Sequence, residues 1–424
     1  MTVDRSNKRL AQNAGFVLVA ELAVQVVRAA TIFVLARLFD DEIVFGTYVS
    51  LLALTTLLAP VSQWGMNHVG VRAIARNVPF AETWAKVTST IGLGGLLGTA
   101  VATIVGFTLL DVRPIVAVAF GLAQLVGFNT AQAATMMTEA HHRSDVGLRI
   151  NIIGGVVRLV MLAAFWAVGQ HTLAVWSIFL VAGMVGWGAL SSFQVARAFS
   201  GAHGFALPTT EDLRHGGGFV FVQTSASGQT DVDKFVLGAN DLKADAAIYS
   251  PAYRIVEMST IPLIAVVRAT YAEFFRRGAS TVSNAMAFAK QLTVLASAYG
   301  VVAGIGLFLA APLIFIILDE EQFADADTVI RWLALIPLLK GLQYFPGNAL
   351  TGADRHNVRS WIIFVTAAIN LVANLIFIPQ FGWKAAAVTT LVAETLFAAM
   401  LWTAVNVLAR RELADGTSTS LPEA

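Results

Sequence analysis

The sequence predicts an all-α integral membrane protein with about twelve transmembrane helices in two halves of six. Three observations carry that expectation. The chain is 57% hydrophobic and 13% charged, whereas soluble domains run near a quarter charged. Apolar runs of roughly 20 residues recur along the chain, each long enough to cross the hydrocarbon of a bilayer. Lysine and arginine gather in alternate connecting segments, as the positive-inside rule requires of a multi-pass chain. A closed β-barrel is the other architecture that satisfies backbone hydrogen bonds in lipid. Long unbroken apolar runs argue against it.

The expected spans are 14–38, 45–69, 86–110, 114–138, 148–169, 173–197, 217–239, 246–274, 285–312, 328–350, 358–380 and 384–409. With the N-terminus inside, the inner segments hold Arg5, Lys8, Arg9, Arg72, Arg76, Arg143, Arg276, Arg277, Arg355, Arg410 and Arg411, among others. The outer segments hold Arg37, Arg113, Lys243, Arg331 and Lys384. The bias is roughly threefold and places both termini in the cytoplasm, with the protein multi-pass in the cytoplasmic (inner) membrane. The basic start MTVDRSNKRLAQ reads as the flank of an uncleaved first span, because the apolar run that follows is too long for a signal peptide and no small-residue cleavage site closes it. Two inner segments read as interfacial: GVRAIARNVPFAETW at 70–84 and FALPTTEDLRHGGG at 205–218. The second divides the chain into an N-terminal six-helix lobe (1–204), a cytoplasmic linker (205–216), a C-terminal six-helix lobe (217–412) and a disordered cytoplasmic tail (413–424).

Composition also excludes. The chain has no cysteine and a net charge of +1, so disulfides, thiolate metal sites and Fe–S clusters are out. No basic domain points to nucleic acid. No Walker A loop is present, so ATP is not the expected engine. Neither a cofactor, a resident metal nor a catalytic residue is expected. Gly94 and Gly98 in IGLGGLLG form a small-xxx-small pair that reads as close helix packing rather than as a nucleotide loop.

The halves echo each other. ARLFDDEIVFGTYVSLLAL (36–54) aligns with LGANDLKADAAIYSPAYRI (237–255) at an offset of 201, pairing Tyr48 with Tyr249 and Asp40 with Asp241. HHRSDVGLRINIIG near 141–154 echoes ADRHNVRSWIIFVT near 353–366. Repeats of the same orientation are related by an axis along the membrane normal, which puts the expected substrate between them near the midplane.

The run FGTYVSLLALTTLLAPVSQWGMNHVGVRAIARN resembles the second helix and basic loop of Wzx-type polysaccharide flippases of the multidrug/oligosaccharidyl-lipid/polysaccharide (MOP) exporter superfamily. LGANDLKADAAIYSPAYRIVEM and DEEQFADADTVIRWLALIPLL resemble that family's seventh-to-eighth helix junction and the outer loop before its tenth helix. The resemblance covers nearly the whole chain. It rests on the ordered set of segments rather than on any one motif. It implies two six-helix lobes around a central, V-shaped cavity, with the first and eighth helices lining it. It also implies a lipid-linked oligosaccharide as partner and substrate, carried from the inner to the outer leaflet.

Ionisable groups at membrane depth are expensive, about 2.5–3.5 kcal/mol each, and usually face a cavity or a partner. In the first span, Glu21, Gln25 and Arg28 share one helical face. In the eighth, Arg254, Glu257 and Arg268 fall within a sector of about 60° if the helix is straight. On that helix Arg254 and Arg268 would stand ~21 Å apart as a ladder for an anionic head group. Arginine suits phosphate, which its planar fork binds bidentately. Lys340 and Gln124 complete the candidate cavity set, with Gln124 offering neutral hydrogen bonding to sugar hydroxyls. The competing reading is a set of structural ion pairs, with Arg254 and Glu257 paired on their own helix. Asp231, Asp233, Glu257 and Glu394 are the candidates for ion coupling. In SASGQTDVDKF, Asp231 and Lys234 are three apart and can neutralise each other, while Asp233 is expected to face elsewhere. Glu394 is expected to stand alone in an apolar helix. The residues leave H⁺, Na⁺ and downhill exchange open.

The leading expectation is therefore a monomeric flippase for a polyprenyl-pyrophosphate oligosaccharide. It would work by alternating access among membrane lipids, with polysaccharide polymerase or export proteins as partners. The alternatives are a multidrug exporter of the same superfamily, which would want carboxylates in its cavity, or a membrane glycan polymerase or ligase. The absence of a long outer loop disfavours the polymerase or ligase.

Overall fold

The computed structural model describes residues 26–414 apart from 28, 40, 202, 203 and 280, and apart from the side chain of 413. The regular elements among the described residues are all helices. In chain order they are α1 (Ala29–Leu38), α2 (Glu42–Ser62), α3 (Met66–Ala75), α4 (Phe80–Leu109), α5 (Pro114–Ala140), α6 (Ser144–Val168) and α7 (Leu173–Ala198). They continue as α8 (Thr210–Ala239), α9 (Lys243–Met258), α10 (Ile261–Gly278), α11 (Val282–Ala310), α12 (Ala326–Leu333) and α13 (Ile336–Gly352). A final stretch, His356–Ala414, is two helices joined at Gly382, whose φ of 59° and ψ of −139° are not helical. These are α14 (356–381) and α15 (383–414).

The boundaries follow local chemistry. Asp41 caps α2 by accepting from the Ile43 amide at 2.8 Å, which satisfies one of the orphan donors of a helix start. The expected span 45–69 stops at Ser62, because Trp64 and Gly65 take positive φ and α3 restarts the chain. The expected spans 246–274 and 328–350 are each broken in two. The first breaks at Ser259–Thr260 before Pro262, with a bend of 45° between α9 and α10. The second breaks before Pro337, at the junction of α12 and α13. Proline is at home in the first turn of a helix and disruptive further in, so each marks a new start. At Gly382 a Cβ would meet the Asp245 carboxylate at 1.9 Å. That carboxylate instead accepts from the Trp383 amide at 2.8 Å, capping α15.

Among the described residues, seven helical stretches are long and apolar enough to cross a membrane, or eight if α9 and α10 form one bent span. The stretch 356–412 counts once in that number and contains both α14 and α15. Helix α8 is 30 residues long, but Glu211, Asp212, Arg214, Asp231, Asp233 and Lys234 keep its mean hydropathy low. The first expected span falls mostly outside the described residues. Along α11, Val294, Leu295, Val302 and Leu309 are 73%, 66%, 69% and 72% exposed. An apolar face of that kind is stable only against hydrocarbon. The protein is a multi-pass membrane protein.

The chain packs as two compact units that meet in sequence between Thr224 and Ser225, inside α8. The first has an aromatic heart. Tyr48 lies 5.9 Å from Phe39, 5.9 Å from Phe120 and 6.4 Å from Trp176, ring centre to ring centre. Phe165 closes on Trp176 at 5.2 Å. Backbones approach closely where glycine permits: a Cβ on Gly94 would sit 1.9 Å from the Ser62 carbonyl oxygen, which bears out the packing role of the small-xxx-small pair.

The segment expected as a linker is bound to this unit. Thr209 and Asp212 exchange hydrogen bonds, amide to carboxylate at 2.9 Å and amide to hydroxyl at 3.2 Å, in the manner of a capping box at the start of α8. The Trp64 indole donates to the Leu213 carbonyl at 2.9 Å, Lys86 pairs with Asp212 at 3.5 Å, and the Ala206 amide donates to Ser89 at 3.2 Å. The second unit is built on α10, α11 and α13, with Leu263, Phe274, Ala285, Ala296, Phe345 and Ala349 buried together. A second cluster joins Leu350, Ile362, Phe397, Leu401 and Val405.

The internal repeat appears in the helix boundaries. α2 and α9 begin at Glu42 and Lys243, the expected offset of 201. α6 and α14 begin at Ser144 and His356, each just after a residue at positive φ, His142 at 61° and Asp354 at 57°.

Candidate functional site

The second unit buries charge in two places. On α8, Asp233 is 1% exposed and Lys234 5%. The Lys234 ammonium lies 3.1 Å from Asp233 Oδ1 and 3.8 Å from Asp231 Oδ1. It also donates to the Thr230 carbonyl one turn back. Two rings of α9 flank it, with Tyr253 4.1 Å and Tyr249 5.7 Å from the ammonium, ring centre to nitrogen. Cation–π contact is worth most when the cation is desolvated, as here. Thr390 of α15 ties the cluster together: its hydroxyl reaches Asp233 Oδ2 at 3.4 Å and the Tyr249 hydroxyl at 3.3 Å.

The second place joins α13 to α15. Lys340 Nζ lies 2.7 Å from Glu394 Oε1, and Gln343 Nε2 donates to Glu394 Oε2 at 2.6 Å and to its carbonyl at 2.8 Å. Glu394 is 3% exposed. Buried charges persist when each is paired and its remaining lone pairs are hydrogen-bonded, and both partners of Glu394 meet that condition. Nearby, Arg254 and Glu257 pair with each other along α9 and are half-exposed.

The three sets differ in balance. Lys340 with Glu394 and Arg254 with Glu257 are each neutral. Asp231 and Asp233 against Lys234 are two acids against one base, leaving one negative charge when all three are ionised. An apolar interior does not hold an unbalanced charge cheaply. Of the three sets among the described residues, this one alone has more acid than base.

Several expectations change. Asp233 does not face elsewhere, because the short reach to the next residue's ammonium lets Lys234 fold back over both carboxylates. Glu394 is not alone, since Lys340 and Gln343 reach it from a different helix, beyond what spacing on its own helix can reveal. The Arg254–Arg268 ladder on one straight helix is broken. Arg268 stands on α10, exposed, beyond the 45° bend. Gln124 is partly buried in a π-helical turn of α5, Leu122–Phe128. Glu21, Gln25 and Arg28 lie outside the described residues. Tyr249, Tyr253, Thr390 and Gln343 were not expected. Gln343 had a signal, three residues after Lys340 and so on its face. Tyr249 and Tyr253 are likewise a turn apart. Thr390 had none.

Residues 10–274 match the profile of the family described as polysaccharide biosynthesis protein. That is well over half of the 424 residues. The chain belongs to this family. No curated protein matches it in sequence. Among solved structures, an inward-facing multidrug resistance MATE family transporter of the MOP superfamily superposes with a TM-score of 0.70 at 13% identity, covering 92% of this chain and 99% of its own. The lipid II flippase MurJ in an inward closed conformation does so at 0.70 and 10% identity, covering 95% and 90%. A MOP superfamily transporter from Pyrococcus furiosus, described as having a binding pocket of reverse polarity, gives 0.60 and 12%, covering 96% and 95%. The fold of this polysaccharide biosynthesis protein is thus the MOP transporter fold. That fold is shared with a multidrug resistance transporter and with a lipid II flippase.

Proposed function

We propose that the chain is a flippase that carries a polyprenyl-pyrophosphate-linked oligosaccharide from the inner to the outer leaflet by alternating access. The observation that carries this reading is the family match over residues 10–274. The MurJ-like fold supports it, since that structure is described as a lipid II flippase. In this reading Arg28, Arg254 and Arg268 meet the pyrophosphate as it moves, because guanidinium stays charged and binds phosphate oxygens in pairs. Arg254, already paired with Glu257, exchanges that carboxylate for phosphate. Asp231, Asp233 and Glu394 supply the coupling, with H⁺ or Na⁺ offsetting the unbalanced acid. The protein works as a monomer in the cytoplasmic membrane, with both termini inside, and hands its cargo to polymerising or exporting partners.

Cells carrying Arg254→Ala with Arg268→Ala test this. The expected result is loss of surface glycan and accumulation of lipid-linked precursor at unchanged protein level. Normal export would remove both arginines from the path. A multidrug exporter is the second reading, favoured by the MATE-like fold and by the excess acid on α8. Accumulation of a cationic dye in vesicles holding the purified protein, with no movement of lipid-linked glycan, would establish it.

A further inference from the structure

The second unit carries an open groove of about 450 Å³ between α14 and α15. Val358, Ile362, Met400, Thr403, Ala404 and Leu408 line it. The lining is almost wholly apolar, and the Thr403 hydroxyl is committed to the Ala399 carbonyl at 2.8 Å. Beneath it lie Phe397, Leu401 and Val405, packed on Leu350 and Val282, so the groove has a firm floor. From Ala399 to Leu408 it runs ~14 Å along α15, about half of a hydrocarbon core of roughly 30 Å. That is the depth of one leaflet.

Both walls end in arginine. Arg355 precedes Val358 by about one turn, and Arg410 and Arg411 lie two and three residues beyond Leu408. All three are exposed. Among the described residues no acid pairs with them, because the acids nearest in sequence are engaged elsewhere. Glu412 accepts from the amides of Val282 and Ser283 at 3.0 and 3.3 Å, capping α11, and Asp354 faces His356 at 3.3 Å. One turn inside the same end, Trp361 is 60% exposed and edges onto Phe364 at 5.7 Å. An exposed tryptophan at that height suits the headgroup boundary.

We propose that this groove is a binding site for one anionic phospholipid, its acyl chain along α15 and its phosphate among Arg355, Arg410 and Arg411. Charge complementarity and the one-leaflet length select that occupant. The positive-inside bias alone would place arginines here, but it does not require an apolar slot leading away from them. The inference stands whether or not the flippase reading holds.

Native mass spectrometry of the full-length protein, released from vesicles of equal phosphatidylglycerol and phosphatidylcholine, tests it. Wild type should retain phosphatidylglycerol with about tenfold preference, the equivalent of one charge-assisted hydrogen bond. The variant R355Q/R410Q/R411Q should lose that preference, and Arg410→Gln alone should lower it. Ala404→Phe, which fills the slot, should lower retention of both lipids while the arginines still discriminate. Melting in phosphatidylcholine alone should be unchanged for all of these, which separates lost binding from lost fold. Equal retention by wild type, or an undiminished preference in the triple or the single variant, would overturn the site. So would displacement of phosphatidylglycerol by inorganic phosphate alone, or by polyprenyl phosphate at equal concentration. The first outcome would mean the slot is idle, and the second that its occupant is the cargo.

Discussion

The two units start from one template and fill it differently. At the repeat offset of 201, Ile32 and Phe33 of α1 stand where Asp233 and Lys234 stand on α8. Both pairs are buried. Tyr48 and Tyr249 occupy matching positions in α2 and α9. Tyr48 looks onto Phe39, Phe120 and Trp176, while Tyr249 looks onto Thr390 and the Lys234 ammonium. At these matched positions the first unit packs apolar side chains where the second packs an ion cluster.

Replacing residues at the matched positions breaks or sharpens that comparison. The largest effect is expected at Lys234→Met, which leaves the buried Asp233 and the partly buried Asp231 without their base. Removing one partner of a buried pair costs about 3–5 kcal/mol, whereas Phe33→Leu at the matched site should cost less than about 1.5 kcal/mol. Thermal melting of both purified variants reads the difference, and equal losses would mean the α8 cluster is no more demanding than ordinary core. Next comes the Lys340–Glu394 pair. Lys340→Met alone should cost on the order of 3 kcal/mol, and Lys340→Met with Glu394→Leu should recover most of it. A double variant as unstable as the sum of the singles would show that Gln343, not the ion pair, organises the site.

The smallest effect belongs to the segment that holds α8 to the first unit. Burial alone would raise the Asp212 carboxyl, but hydrogen bonds from Thr209 and the charge of Lys86 outweigh it and hold the group below its ordinary range. Its folded-state pKa thus lies below the unfolded one. The stabilisation is complete above the unfolded value, about 3.9, and disappears as pH falls through the lower folded value. Proteolysis of residues 205–216 should therefore be flat from neutral pH down to about 5 and rise below 4. Asp212→Asn should abolish the pH dependence, and a variant that keeps the wild-type profile would remove Asp212 as its cause.

Much of this fold could be read from apolar runs and positive-charge bias, because lipid leaves a helix little freedom of composition. Breaks were harder to see. Proline at 262 and 337 and glycine at 65 punctuate runs that hydropathy alone reads as continuous. Thr209 and Asp212 spell out a helix start that the linker reading passed over. The candidate site was half legible. Asp231, Asp233, Lys340 and Glu394 stand out because charge is rare at depth. Their partners do not, since Thr390 meets Asp233 across 157 positions of sequence and Gln343 meets Glu394 across 51. The arginine ladder failed for a related reason: it assumed a straight helix where the chain bends by 45°.

The central claim is that the unbalanced acid on α8 links ion movement to transport. Its most direct test is the flux of lipid-linked oligosaccharide in vesicles containing the purified protein, with and without an imposed proton or sodium gradient. Comparing wild type with Asp231→Asn/Asp233→Asn/Lys234→Met, which removes the base together with its acids, the account predicts that a gradient accelerates wild type and leaves the variant unchanged, at equal amounts of folded protein in the vesicles. A variant that still responds to the gradient as wild type does would contradict it.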